Sequence, residues 1–123
     1  MSTLRVTNVQ DTAGANSLTT AQIYNGASKA WVNFNGTGVV AIRANFNVSS
    51  ITDNGTGDYT VNFTNAMTDA NYAFVGSCEY VQASGDSPGL RIIGPFLTTS
   101  ARFDIYGGGS LRDSSQVHVS VFR

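Results

Sequence analysis

The chain has 123 residues, a net charge of −1 and only 12% charged residues, against about 25% in an ordinary soluble domain. Its seven Lys and Arg stand singly along the sequence, so no basic stripe exists to neutralise a run of phosphates, and nucleic-acid binding is not expected. No apolar run approaches the roughly 20 residues of a membrane helix, and the lone cysteine, Cys78, excludes an intrachain disulfide or an all-cysteine metal site.

Taken in chain order, the sequence divides into a polar leader, residues 1–28, and a β-patterned domain, residues 29–123. The opening Met1-Ser2-Thr3-Leu4-Arg5 lacks the charged and apolar regions of a secretory signal. Leu4-Arg5-Val6-Thr7 reads as a short β-like stretch, followed by a loop from Asp11 to Ser17. Thr19-Thr20-Ala21-Gln22-Ile23-Tyr24 reads as a single helical turn with a Thr cap, closed by Asn25-Gly26. This leader has too few apolar residues for its own core. It either lies against a partner, whether the main domain or another chain, or is partly disordered.

From Lys29 the hydrophobic period becomes two. Ala30, Val32 and Phe34 alternate with Trp31, Asn33 and Asn35, and Val40, Ile42, Ala44 and Phe46 are expected to share one face of the next strand. Tyr59/Val61/Phe63, Tyr72/Phe74/Gly76/Cys78/Tyr80, Leu90/Ile92/Phe96, Ala101/Phe103/Ile105 and Val117/Val119/Val121 repeat the pattern. Asn35-Gly36-Thr37-Gly38, residues 53–58, residues 84–89 and Gly107-Gly108-Gly109-Ser110 supply turns, and Asn-Gly provides the positive φ that tight hairpins require. The predicted fold is all-β. It is an antiparallel, jelly-roll-like β-sandwich of about seven or eight strands with a short extended N-terminal arm, and a partly open barrel is the second choice.

Several strands carry apolar residues on both faces. Val75 and Val81 oppose Phe74 and Tyr80, Ile93 and Leu97 oppose Ile92 and Phe96, and Tyr106 and Phe122 fall where polar residues belong. One thin core cannot bury them all. Val75, Val81, Ile93, Leu97 and Phe122 are therefore the expected subunit interface, with a strand central to a larger packing as the other reading.

Chemistry-bearing motifs are scarce. His118, the single histidine, lies between Val117 and Val119 and reads as a surface or interface residue. No Gly-x-Ser-x-Gly elbow surrounds any serine. Asp53, Asp58, Asp69, Asp86 and Asp113 sit in turns, where Asp caps its own backbone. The run Asp53 to Asp58 superficially resembles a calcium loop, but its third and fifth positions are Gly and its twelfth is Thr64 rather than Glu. Gly107-Gly108-Gly109 lacks the Lys and helix of a phosphate cradle. No catalytic residue, metal ligand or cofactor is expected, and a buried structural thiol is the reading for Cys78. One binding option remains: Trp31, Tyr59, Tyr72, Tyr80 and Tyr106, with Asn- and Asp-rich turns, could serve sugars, although aromatics at alternate positions are more often core.

The string from Ala30-Trp31-Val32-Asn33-Phe34-Asn35-Gly36-Thr37-Gly38 through Ala41-Ile42-Arg43 to residues 47–63, with Met67-Thr68-Asp69-Ala70-Asn71-Tyr72, resembles a module of tail-fibre-like and other virion structural proteins of tailed bacteriophages, marine and cyanobacterial phages included. The opening residues 2–12 resemble the attachment leader of such proteins. The resemblance spans roughly the first 75 residues. It implies a homotrimeric β-domain on the virion surface, anchored to other virion proteins by its leader, with Leu4, Val6, Val9, Ile23 and Tyr24 as anchoring residues. Asp53, Asn54, Asp58, Asp86, Arg112 and Asp113 are then the exposed loop residues, facing a host-surface partner such as a glycan. A capsid decoration or cement protein is the alternative, because the chain has no room for a long fibre shaft.

Overall fold

The computed structural model describes residues 1–79 and 87–123. The elements are β1 (Asn8–Gln10), β2 (Ser17–Thr19), α1 (Thr20–Gly26), β3 (Ser28–Asn35), β4 (Ala41–Phe46), β5 (Val48–Gly55), β6 (Asp58–Phe63), β7 (Ala73–Cys78), β8 (Gly89–Ile93), β9 (Ser100–Gly107), β10 (Ser110–Leu111) and β11 (Val117–Phe122). From Ser28 onward the long strands form two antiparallel sheets. Sheet I has the order β4-β3-β11-β7, and sheet II has the order β5-β6-β9-β8, with the short β10 also pairing β9.

The alternating patterns explain the layering. Ala30, Val32 and Phe34 of β3 and Val117, Val119 and Val121 of β11 turn inward from sheet I. They meet Tyr59, Val61 and Phe63 of β6 and Ala101, Phe103 and Ile105 of β9. Phe34 packs edge-on against Tyr59 at 5.3 Å between ring centroids, and Phe103 lies 5.4 Å from Phe74 and 5.9 Å from Tyr59. Edge-to-face and tilted packing suits the ring quadrupoles. The fold is therefore the all-β antiparallel sandwich that the patterning predicts, with eight long strands in two layers of four. It is jelly-roll-like in that layering and departs from a jelly roll in connectivity. The pairs β3–β4, β5–β6 and β8–β9 each stay within one sheet, where a jelly roll's successive strands alternate between layers.

Two local features differ from the sequence expectation. In the β3–β4 pairing, Asn33 faces Ala44 but Phe34 faces Ile42, so Arg43 is an extra residue in β4. Such a bulge flips the facing of the strand residues beyond it. Ile42 stays with the core, whereas Ala44 and Phe46 turn outward, and Phe46 is 54% exposed. The β-like stretch expected at Leu4–Thr7 carries no strand; pairing instead joins Asn8–Gln10 to Ser17–Thr19.

The N-terminal arm is a hairpin followed by the seven-residue α1. Thr19 caps the helix as predicted: its hydroxyl accepts from the Gln22 backbone N–H at 3.1 Å, and the Gln22 side chain accepts from the Thr19 N–H at 2.8 Å. Every residue from 1 to 27 is exposed.

Candidate functional site

The sandwich has two chemically distinct ends, set by the direction of β3. Its last residues lead into the turn at Asn35-Gly36, and its first residue, Ser28, receives the arm. Over its eight residues a strand spans about 27 Å, so arm and turn lie at opposite ends.

At the turn end, Tyr59 is the organising residue. Its ring is fully buried, and its hydroxyl lies 2.8 Å from the Gly36 carbonyl oxygen and 2.8 Å from Asp113 Oδ1. The same Asp113 oxygen accepts from the Gly57 N–H at 2.7 Å, and the Gly57 carbonyl accepts from the Ile105 N–H at 2.7 Å. Burial first, and then the Asp113 carboxylate, push the Tyr59 hydroxyl's pKa far upward, so it stays a protonated donor. Gly57 has φ +66, and a Cβ there would lie 2.6 Å from the Arg112 backbone nitrogen; no other residue fits that crossing. Pro88 also approaches Gly107 closely, since a Cβ at Gly107 would lie 2.9 Å from the Pro88 Cα. The turns around 36, 55–57 and 107–113, together with the described end of the 84–89 turn, form one cluster.

Sheet I presents an outer face with two cross-strand rows. The first reads Phe46–Trp31–Ser120–Val75, and the second reads Ala44–Asn33–His118–Ser77. Trp31 is 39% exposed and Val75 52%. A shallow groove of about 320 Å3 runs over Ser120 and Gly76, between Val75, Ser77 and His118. The Arg43 guanidinium at the bulge donates to Asn33 Oδ1 and Gln116 Oε1, both at 3.4 Å.

At the arm end, Asn47 makes the turn from sheet I to sheet II at φ 55. Asn tolerates this left-handed conformation better than most residues. Its side-chain amide donates to the Lys29 and Asn65 carbonyls, and its Oδ1 accepts from the Asn65 N–H at 2.8 Å. The Lys29 ammonium sits 3.5 Å above the Tyr24 ring and donates to the Tyr24 carbonyl. Arg123 forms a paired contact with Asp69 at 2.9 and 2.6 Å.

The expected anchoring residues all lie uncovered on the arm. Leu4 is 87% exposed, and Val6, Val9, Ile23 and Tyr24 are exposed as well; Leu18 of β2 joins them, although the sequence did not single it out. The expected interface set does not form one patch. Val75 and Phe122 lie on the outer face of sheet I, Phe122 half-buried between Ser28 and Ala73. Ile93 sits beside Arg102 on sheet II, and Leu97 lies in the β8–β9 connection. Val81 and Tyr80 lie outside the described residues, as does Asp86 of the exposed-loop set. Of the other loop residues, Asp53 and Asn54 are exposed at the end of β5. Asp58 is a correction: it is half-buried and clamped by Arg102 through 2.9 and 2.5 Å contacts, because it begins β6 and points out of sheet II. Arg112 is also half-buried, its Nε donating to the Gly107 carbonyl at 3.0 Å. Asp113 is exposed as expected, with its carboxylate accepting from the Gly57 N–H and the Tyr59 hydroxyl.

Sequence reasoning missed Phe46 as a surface aromatic because it assumed an unbroken strand. Of the aromatics weighed for sugar contact, Tyr59 and Tyr72 are core, and Tyr106 lies beneath the Arg91 guanidinium at 3.8 Å. Among the described ones, Trp31 shares an open face with another aromatic, Phe46. Burial pushes the Tyr72 hydroxyl up to about 12 and raises the Cys78 thiol, which suits a structural role for both. Among the described residues, no group of three or more His, Cys, Asp or Glu could hold a metal ion. No family model matches the chain, and no curated protein or solved structure matches it either.

Proposed function

We propose that this chain is a structural module of a tailed-phage virion, a homotrimeric β-sandwich of fibre or tip type, held to the particle by its N-terminal arm. The observation that carries this reading is the polarity of the molecule. Uncovered apolar residues from Leu4 to Tyr24 project from one end, and a latched cluster of turns closes the other. Uncovered apolar residues on an arm are costly in water and are stabilised by a partner. A cluster of turns held by one buried tyrosine presents its backbone and its Asp53 and Asn54 side chains in a fixed arrangement. Repeated by symmetry, individually weak contacts from such turns with a host-surface glycan gain avidity. The resemblance of residues 2–12 and 30–72 to phage fibre-like proteins supports the same reading.

The test is to locate the chain on purified particles by immunogold labelling and to repeat it with a chain lacking residues 1–26. The expected result is label at the tail end for the whole chain. The shortened chain should keep its thermal transition, since no residue from 1 to 26 is itself buried, yet be missing from particles. Label spread over the head would move the assignment to capsid decoration. Incorporation without the arm would sink the anchor.

A further inference from the structure

We infer that in the assembled protein the arm of one copy covers the Trp31–Phe46 face of sheet I on the next copy. This deepens the homotrimer reading and rests on it. Among the described residues, the arm and the outer face of sheet I are both left open, and neither covers the other. On the arm, Leu4, Val6, Val9, Leu18, Ile23 and Tyr24 are exposed; on sheet I, Phe46, Trp31 and Val75 are exposed in one cross-strand row.

Area argues that these two surfaces meet. Four strands about 4.8 Å apart and about six residues long make a face of roughly 400 Å2. A specific interface buries about 600–1,000 Å2 on each partner. Two such flat faces pressed together fall short of it, whereas an arm of 27 wholly exposed residues that crosses the face and passes over its β4 edge makes contact beyond the flat face. Position agrees. Trp31 is three residues from Ser28, where the arm joins, and Phe46 precedes the Asn47 turn at the same end. Copies aligned side by side thus bring each arm level with a neighbour's aromatic pair.

Local structure supplies the fit. Among the described residues β4 is an edge strand of sheet I, and an open edge accepts an added strand. Leu4 and Val6 alternate with Arg5 and Thr7, and the segment carries no strand of its own. Laid along β4, it would place Leu4 and Val6 on the same side as Phe46 and extend the Phe46–Trp31 row by one strand.

Trp31 is the chain's only tryptophan, so its fluorescence reports on this face directly. The full-length chain is compared with a full-length Leu4→Ser/Val6→Ser variant by light scattering and by acrylamide quenching. The expected result is a trimer mass and a protected indole for the parent. The variant should show an approximately threefold lower mass and an indole that quenches freely. A photo-reactive phenylalanine analogue at position 46, in a mixture of 15N-labelled and unlabelled chains, should cross-link to peptides from residues 1–27 of the other isotope. Three results overturn the inference while leaving a trimer intact: cross-links only within one isotope, cross-links to a partner's β-domain, or a protected indole in the variant. A parent that remains a monomer at every concentration overturns both this inference and the homotrimer.

Discussion

The outer faces of the two sheets are built from the same number of long strands, yet one is chemically closed and the other is not. On sheet II, Asp58 and Asp104 stand directly opposite each other, an unfavourable like-charge pair. Each is answered by an arginine. Arg102 grips Asp58, and Arg91 grips Asp104 at 2.8 and 2.7 Å while lying over Tyr106. Asn54 donates to Asp58 and Thr60, and Asn62 donates to Ser50 and Thr52. Nearly every polar group on that face has a partner from a neighbouring strand, so it is complete in water. On sheet I the cross-strand bonds are those of Arg43 to Asn33 and Gln116, and one of its two rows carries Phe46, Trp31 and Val75. The difference marks the outer face of sheet I as the more apolar and open of the two, which hydrophobicity summed along the chain would not show.

The core shared by both faces sets the upper bound on any effect. Phe103 is fully buried and touches Phe34, Tyr59 and Phe74. Phe103→Ala should lose about 3–5 kcal/mol in denaturant titration and erode both faces together. Next comes Asp104→Asn on sheet II, where Asp104 is 6% exposed. Breaking a buried pair costs about 3–5 kcal/mol, but the Arg91 side chain keeps 52% of its surface in water. About 1–2 kcal/mol is therefore expected, with no change in oligomeric mass.

Part of the acid limb should also belong to sheet II, beside the lowered Asp69 and Asp11 carboxyls elsewhere. The Arg102 hydrogen bonds hold the Asp58 carboxyl below the usual carboxylate range. The stabilisation is complete above the unfolded value of about 3.9 and is lost as pH falls through the lowered folded value. Asp58→Asn should flatten that limb of a stability-versus-pH curve, and an unchanged limb would mean that other carboxylates dominate it. The smallest effect on folding is expected on sheet I. Val75→Thr should move the denaturation midpoint by less than about 0.5 kcal/mol, while association, read by light scattering, weakens. A large loss of stability there would show that this face is already satisfied within one chain.

The alternating pattern by itself determined the all-β class, the inward residues of β3, β6, β9 and β11, the turns between strands and the capped helical turn at Thr19. These are local properties, because side-chain facing follows from period two and a cap from one hydroxyl. The pattern showed that residues 1–28 cannot form their own core, but it left open whether they lie against the main domain; only the structure shows their apolar residues exposed. Tertiary structure decided the rest. The extra residue at Arg43 turned Phe46 outward, which no single-strand pattern reveals because a bulge exists only relative to its partner strand. Asp58 looked like a member of an exposed turn, and Asp113, which is exposed, looked like one without a distant partner. One is clamped by an arginine 44 residues away and the other by a tyrosine 54 residues away. The division of Val75, Ile93, Leu97 and Phe122 among different surfaces was likewise invisible, because facing is local whereas the choice of sheet depends on which distant strands pair.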